Sequence, residues 1–194
     1  MIQINVELDE DIKSYSFPTT WDDLTVEQYS NLYSIDRTVH TGMFFTFEVL
    51  HKLTGIDRDI IEQIDYKDFV QLVKGLEFIY TPLEKREVES IEIEGEKYYL
   101  QTEFNKFTAG EIISIDTIIS KANGELNTVL SKLLCVFLKK KKPNGEFEKY
   151  KTSFMLREQM FSKIKISDVH HIFGFFLHGR DSSDNSTMVS SESK

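Results

Sequence analysis

Residues 125–139 read ELNTVLSKLLCVFLK and form the most apolar segment of this 194-residue chain. Large apolar residues recur in this segment at steps of three and four, which is the period of an α-helix. The resulting stripe consists of Leu126, Val129, Leu130, Leu133, Leu134 and Phe137. Because so wide a stripe needs neighbours on more than one side, we predict that a helix over 125–139 is the central element of the core.

The segments around this helix carry the signatures of further helices. Thr25 precedes Gln28, and Thr108 precedes Glu111, by the three residues that separate the two partners of a capping box at a helix start. Helical apolar periods also run over about 41–53, 57–64, 65–80 and 167–178. Only three prolines and nine glycines interrupt the chain, so the predicted fold class is mainly α, a helical domain with a small β element.

The β element is expected in two places. Residues 2–8 alternate between apolar and polar, the period of a strand with one buried face. The same alternation returns in residues 88–101 around the turn signal Glu94-Gly95, which predicts a β-hairpin. Since an isolated hairpin is only marginally stable, we expect the hairpin to pair with the N-terminal strand.

The domain organisation follows from a change in composition near the end of the chain. We predict one mainly helical domain over residues 1–179, with the hairpin near 88–101 as an insertion. Residues 180–194 are polar and rich in serine, with Met188 and Val189 as their apolar residues. Such a segment buries too little apolar surface to fold, so we predict a disordered tail.

The charge of the chain bears on its partners. The formal net charge of −9 argues against non-specific binding to nucleic acid, because an acidic surface repels phosphate. One basic run, Lys139 to Lys142, is followed by Pro143-Asn144-Gly145. The run is interpreted as a solvated loop with lysines at a helix C-terminus, where they suit the helix dipole, rather than as a phosphate site.

The single cysteine and the lack of targeting signals indicate where the protein works. Cys135 lies within the most apolar segment, so we predict a buried, reduced thiol in a reducing compartment. The N-terminus lacks a signal-peptide pattern, and no apolar run reaches membrane-spanning length. Both observations favour the cytoplasm.

The sequence carries few signs of catalysis. It contains no Gly-rich phosphate loop and no HExxH or CxxC motif. His170, His171 and His178 lie near Asp168, but no pair of these histidines has the spacing of three or four residues that brings two ligands onto one helix face. We therefore predict a protein without metal, cofactor or catalytic residues, while an enzyme remains an alternative.

Aromatic residues are the more suggestive feature. Phenylalanines cluster in residues 44–47 and again in 173–176, so that each cluster covers adjacent faces of one predicted helix. A single buried stripe cannot hold all of these rings. Either both helices are buried on all sides, or the rings form an exposed patch that receives a partner.

The order of these segments resembles that of the tail assembly chaperones of tailed bacteriophages. In that family an early Trp and a Leu-Thr-x-x-Gln-Tyr-like helix start precede the helices, and a Phe-Phe helix comes near the end. The matching residues here are Trp21, Leu24, Thr25, Gln28 and Tyr29 at the start, and Asp168, Val169, Phe175 and Phe176 at the end. The resemblance covers about residues 18–178. The N-terminal strand and the inserted hairpin depart from it.

The resemblance implies a non-enzymatic phage assembly protein that binds a tail tube or tape-measure protein before it polymerises. We expect Trp21, Tyr29, Phe175 and Phe176 to contact the partner. The implied partners are phage tail or other virion proteins, without nucleic acid or membrane, and self-association is left open. A structural virion protein at the head–tail junction or packaged in the particle is one alternative, and a small phage enzyme is another. The implied location is the cytoplasm of the bacterial host, or the virion under the first alternative.

Overall fold

The computed structural model describes residues 1–8, 11–84, 86, 88–148 and 155–171. Among these residues 51% are helical and 17% lie in strands, which confirms the predicted mainly α fold with small β elements. The predicted C-terminal helix over 167–178 lies largely outside the described residues, and the predicted tail over 180–194 lies wholly outside them.

The helices and strands follow one another along the chain with short connections. The described helices are α1 (Val26–Tyr33), α2 (Met43–Thr54), α3 (Arg58–Glu62), α4 (Tyr66–Gly75), α5 (Ala109–Lys121), α6 (Leu130–Phe137), α7 (Met155–Phe161) and α8 (Ile166–Val169). Short 3-10 turns occur at Trp21–Asp23, Glu77–Tyr80, Phe104–Lys106 and Leu126–Val129. The described strands are β1 (Ile2–Leu8), β2 (Asp11–Phe17), β3 (Ser90–Ile93), β4 (Glu96–Leu100) and β5 (Leu138–Lys139).

The central position of the most apolar segment is confirmed, but its predicted length is wrong. Every residue from Leu133 to Lys139 is buried. The helix itself is shorter than predicted, because its first turn is a 3-10 turn and its last residue is Phe137. Leu138 then takes an extended conformation and pairs with Leu100 of β4. Sheet hydrogen bonds thus replace the last helical turn.

The N-terminal strand exists, but its predicted partner is wrong. β1 pairs antiparallel with β2, from Ile2 opposite Phe17 to Leu8 opposite Asp11. The hairpin of β3 and β4 forms as predicted and takes β5 as its third strand, in the order β3-β4-β5. The described residues therefore form two small sheets, and each packs against a different part of the helical core.

The start of α1 is fixed by its capping box and by the C-terminal part of the chain. The Thr25 hydroxyl accepts a hydrogen bond from the Gln28 N–H at 3.2 Å, and the Gln28 side chain accepts one from the Thr25 N–H at 3.0 Å. The segment before α8 runs alongside, because the Val26 N–H donates to the Ile164 carbonyl and the Ile166 N–H donates to the Leu24 carbonyl. α1 buries Val26, Tyr29 and Leu32 as the helical period requires, whereas Tyr33 at its end is 39% exposed.

A buried carboxylate fixes α2 to α3. Glu48 of α2 accepts two hydrogen bonds from the Arg58 guanidinium, at 2.8 and 2.9 Å. These bonds from Arg58 hold the pKa of Glu48 below its ordinary value. α2 ends at Gly55, whose positive φ of 73° is the left-handed conformation that glycine adopts at a helix C-terminus.

No helix within the described ranges is long and apolar enough to cross a membrane.

Candidate functional site

Trp21, the first of the predicted partner contacts, is half-buried and packs within the protein. Its indole N–H donates to the Thr81 carbonyl at 3.0 Å, and its ring meets the edge of Phe78 with the centroids 5.3 Å apart. A cleft of about 240 Å³ lies beside it, with Asp22 and Arg86 at its rim. The Ser167 hydroxyl and the Arg86 guanidinium hold the pKa of Asp22 below its ordinary value. Trp21 therefore joins the start of the fold to the turn that follows α4.

Tyr29, the second predicted contact, lies in the core with 3% of its surface exposed. Its ring contacts those of Trp21, Tyr33 and His170, with centroids 6.0, 4.6 and 5.9 Å away. Burial raises the pKa of the Tyr29 phenol above its ordinary value. The structure gives Tyr29 no exposed ring surface, so a partner would contact it only after α1 had moved.

Two of the C-terminal residues named in the resemblance lie beside its N-terminal residues. α8, which carries Asp168 and Val169, packs against the 3-10 turn Trp21–Asp23. Phe175 and Phe176, the other predicted contacts, lie outside the described residues. The described chain ends at His171, close to the aromatic cluster around Tyr29.

An exposed apolar surface lies instead at the start of α2. Val39, Met43 and Phe44 are 69%, 59% and 75% exposed, and they fall within six consecutive residues. These three residues are called the α2 surface below. The sequence pattern indicated the phenylalanine cluster but not Val39 or Met43, since nothing in their spacing separates a surface residue from a core residue.

Helix geometry explains why Phe44 is exposed. An α-helix turns by about 100° per residue, so Phe44 points roughly opposite to Leu53, which is nine residues further along and buried. Phe45 and Phe47 lie between these directions and are half-buried. Burial of α2 on all sides, one of the two alternatives for the phenylalanine cluster, is therefore wrong at Phe44. Phe44 fits the other alternative, in which the rings of this cluster are exposed.

A second candidate site is a cleft of about 730 Å³ between the start of α5, strand β5 and the loop before Phe147. Its floor holds an ion pair, with Lys139 Nζ 2.5 Å from Glu111 Oε1 and the two side chains 5% and 2% exposed. The other oxygen of Glu111 accepts from the Thr108 N–H at 2.7 Å and from the Thr108 hydroxyl at 3.0 Å. The predicted capping box is thus confirmed, and its carboxylate also holds a buried lysine. This feature is called the Lys139 cleft.

The interpretation of Lys139 to Lys142 as a solvated loop at a helix C-terminus is wrong for the first of these residues. Lys139 is 4% exposed, lies in β5 and has its ammonium 4.8 Å from the centre of the Phe107 ring. Lys140 lies over the Tyr98 ring at 5.3 Å, and Lys141 lies over the Tyr99 ring at 4.1 Å. Sheet pairing places this run beside aromatic rings, which short-range spacing in the sequence does not reveal. The lysines therefore interact with carboxylates and rings of the protein itself.

Few other groups in the described ranges suggest chemistry. These residues contain no group of three or more His, Cys, Asp or Glu side chains placed to hold a metal ion. His170 and His171 are half-buried, and His178 lies outside the described residues. Cys135 is 1% exposed, which confirms the predicted buried thiol, and burial raises its pKa to about 12. A thiol so far from ionisation at neutral pH is a poor nucleophile.

No protein-family model, curated protein or solved structure matches this chain. The two candidate sites therefore depend on their own geometry. The α2 surface exposes apolar side chains, and the Lys139 cleft is a solvent-open space with a buried ion pair at its floor.

Proposed function

We propose that this protein is a non-enzymatic assembly protein of a tailed bacteriophage, acting as a tail assembly chaperone. The observation that carries the proposal is the α2 surface, where Val39, Met43 and Phe44 present apolar side chains that are at least 59% exposed. Single exposed apolar residues are common on soluble proteins, whereas three within six positions are the candidate site for a partner.

The chemistry of the surface fits the task of a chaperone. A chaperone of tail components has to cover aggregation-prone apolar surfaces before assembly, and an exposed apolar surface of its own can do so. The α2 surface supplies apolar contacts, while the net charge of −9 keeps the complex dispersed by repulsion between copies. The residue pattern from Trp21 to Phe176, which resembles that of tail assembly chaperones, supports the same function.

The proposal assigns different roles to the predicted contacts. Phe44 with its neighbours in the α2 surface makes the primary contact. Trp21 packs against the turn that follows α4 and Tyr29 lies in the core, so both support the framework instead of touching the partner. Phe175 and Phe176 stay predicted contacts.

Co-expression with a tail tube or tape-measure protein tests the proposal. Phe44→Ser removes the aromatic ring of the α2 surface. The matched control is Ile113→Ser, at a residue of α5 that is 65% exposed. Both variants should fold, because exposed substitutions change the free energy of unfolding by only about 0.5 kcal/mol. The wild type and the Ile113 variant should keep the tail protein soluble, and the Phe44 variant should not.

Two results would contradict the proposal in different ways. Equal solubilisation by the Phe44 variant and the wild type would exclude the α2 surface as the contact. Failure of the wild-type protein to solubilise or bind either tail component would exclude the chaperone function itself.

A further inference from the structure

The Lys139 cleft is lined by a side-chain amide that has no hydrogen-bond partner among the described residues. Gln101 is 2% exposed and lines the cleft, and its main-chain N–H donates to the Phe137 carbonyl at 2.9 Å. Its side-chain amide makes no hydrogen bond to any residue that the structure describes. The amide atoms are not among the fully buried polar atoms without a partner, so water in the cleft reaches them. A ligand with complementary groups can take the place of that water.

The ion pair next to Gln101 leaves more donors than acceptors available. An ammonium has three N–H donors; Lys139 uses one of them on Glu111 Oε1, and its ammonium also lies over the Phe107 ring. Glu111 has about four acceptor sites, of which one is used by Lys139 and two are used by Thr108. The floor of the cleft therefore favours a ligand that brings a carbonyl oxygen.

The charges around the cleft cancel, which selects against an ionic ligand. Lys139 and Glu111 neutralise each other, and at the rim Glu148 pairs with Arg157. The other rim charges are paired as well, in Lys106 with Glu103 at 2.6 Å and Lys142 with Glu146 at 3.6 Å. Moving a charged group into such a site would cost hydration without gaining a free counter-charge.

We propose that the Lys139 cleft binds neutral ligands that carry a carboxamide beside an apolar ring or chain. A carboxamide offers one carbonyl acceptor and an NH₂ donor, so it can pair with the Gln101 amide in both directions and accept from Lys139. The Phe147 ring, which lines the cleft, covers the apolar part of the ligand. Such a group occurs in Asn and Gln side chains and in small aromatic amides. This inference is independent of the α2 surface.

Titration of the ¹⁵N-labelled full-length protein with benzamide tests the inference. Benzamide is neutral and joins a carboxamide to a ring, and benzoate and benzylamine are probes of the same shape with a negative or positive charge. We expect saturable shifts of the Gln101 side-chain NH₂ resonances with benzamide at millimolar concentrations, as for a ligand of few atoms. Benzoate and benzylamine should bind at least about tenfold more weakly, because the site offers no free counter-charge for the water that each would lose on binding.

Gln101→Met separates ligand binding from a structural role. Methionine keeps the approximate length of the side chain and removes the amide, so the variant should melt at or above the wild-type temperature while losing benzamide binding. Gln71→Met, at an exposed glutamine of α4, should leave both properties unchanged.

The proposal is overturned if benzamide gives no saturable shift at Gln101, if benzoate or benzylamine binds equally well, or if Gln101→Met binds benzamide like the wild type. If Gln101→Met does not fold, the proposal is judged from the positions of the benzamide-induced chemical-shift changes in the wild-type protein. Shifts confined to residues that line the cleft support the proposal, and shifts elsewhere refute it.

Discussion

Breaking the buried ion pair between Lys139 and Glu111 should destabilise the protein strongly. The change is Glu111→Gln, which removes the negative charge but keeps a carbonyl that can accept from the Thr108 N–H. The capping box then survives, and the measured loss reports on the pair itself. Because the Lys139 side chain is 5% exposed, its ammonium would remain buried without a counter-charge.

The magnitude follows from the burial of both partners. Removing one member of a buried pair costs about 3 to 5 kcal/mol, because the remaining charge is uncompensated. For a domain of this size each kcal/mol lowers the melting temperature by about 2 to 4 °C, so Glu111→Gln should lower it by roughly 6 to 20 °C. The double variant Glu111→Gln with Lys139→Met leaves no charge at the floor of the cleft, and it should recover most of this loss.

Thermal and urea unfolding followed by circular dichroism supply the measurement for the wild type, both single variants and the double variant. Lys106→Met is the matched control, since the pair of Lys106 with Glu103 is more than half exposed and should contribute less than about 1 kcal/mol. Two outcomes would refute the reasoning. One is a loss below about 1 kcal/mol in Glu111→Gln, which would mean that water screens the pair. The other is losses that simply add in the double variant, which would mean that the two residues do not interact.

Three further predictions concern the core. Gly75→Ala should destabilise the protein by about 1 to 3 kcal/mol in urea unfolding although alanine favours helices, because the added Cβ would lie 2.6 Å from the Phe17 ring. Gly110→Ala, with nothing within 4 Å, should be neutral or stabilising, and equal effects of the two changes would contradict the packing. Cys135 should resist a thiol reagent at pH 8 until the protein unfolds, because its pKa is raised to about 12, and rapid native labelling would place α6 at the surface. The same raised pKa means that stability falls as the pH rises above about 9, where the thiol of the unfolded chain ionises first.

Short-range signals in the sequence were sufficient for the helix starts. The capping boxes at Thr25 and Thr108 join residues three positions apart, so their geometry follows from the backbone of one turn. Gly55 ends α2 for a similarly local reason. The buried state of Cys135 followed from the apolar residues on either side of it. These features could be predicted because no distant part of the chain decides them.

The partner of β1 could not be predicted in this way. β2 presents Lys13 on the same face as Tyr15 and Phe17, so its alternation is too weak to identify a strand. Pairing with the next segment needs only a short loop closure, which costs less entropy than reaching residues 88–101. The N-terminal strand therefore pairs with its neighbour.

The environment of Lys139 was missed because it depends on contacts across the fold. β4 and α5 bring Tyr99 and Glu111 to this lysine from 40 and 28 positions earlier in the chain. A run of four lysines gives no sign of such neighbours. The Lys139 cleft consequently emerged only with the structure, and Gln101 lies in a segment where no residue pattern indicated a site.

The proposed chaperone function is tested most directly by quantitative mass spectrometry of infected cells and purified virions. A chaperone that leaves before the tail is complete should co-purify with a tail tube or tape-measure protein from infected-cell lysate. It should then be nearly absent from mature particles. Many copies of this protein in every purified virion would contradict a transient chaperone and would favour a structural virion protein.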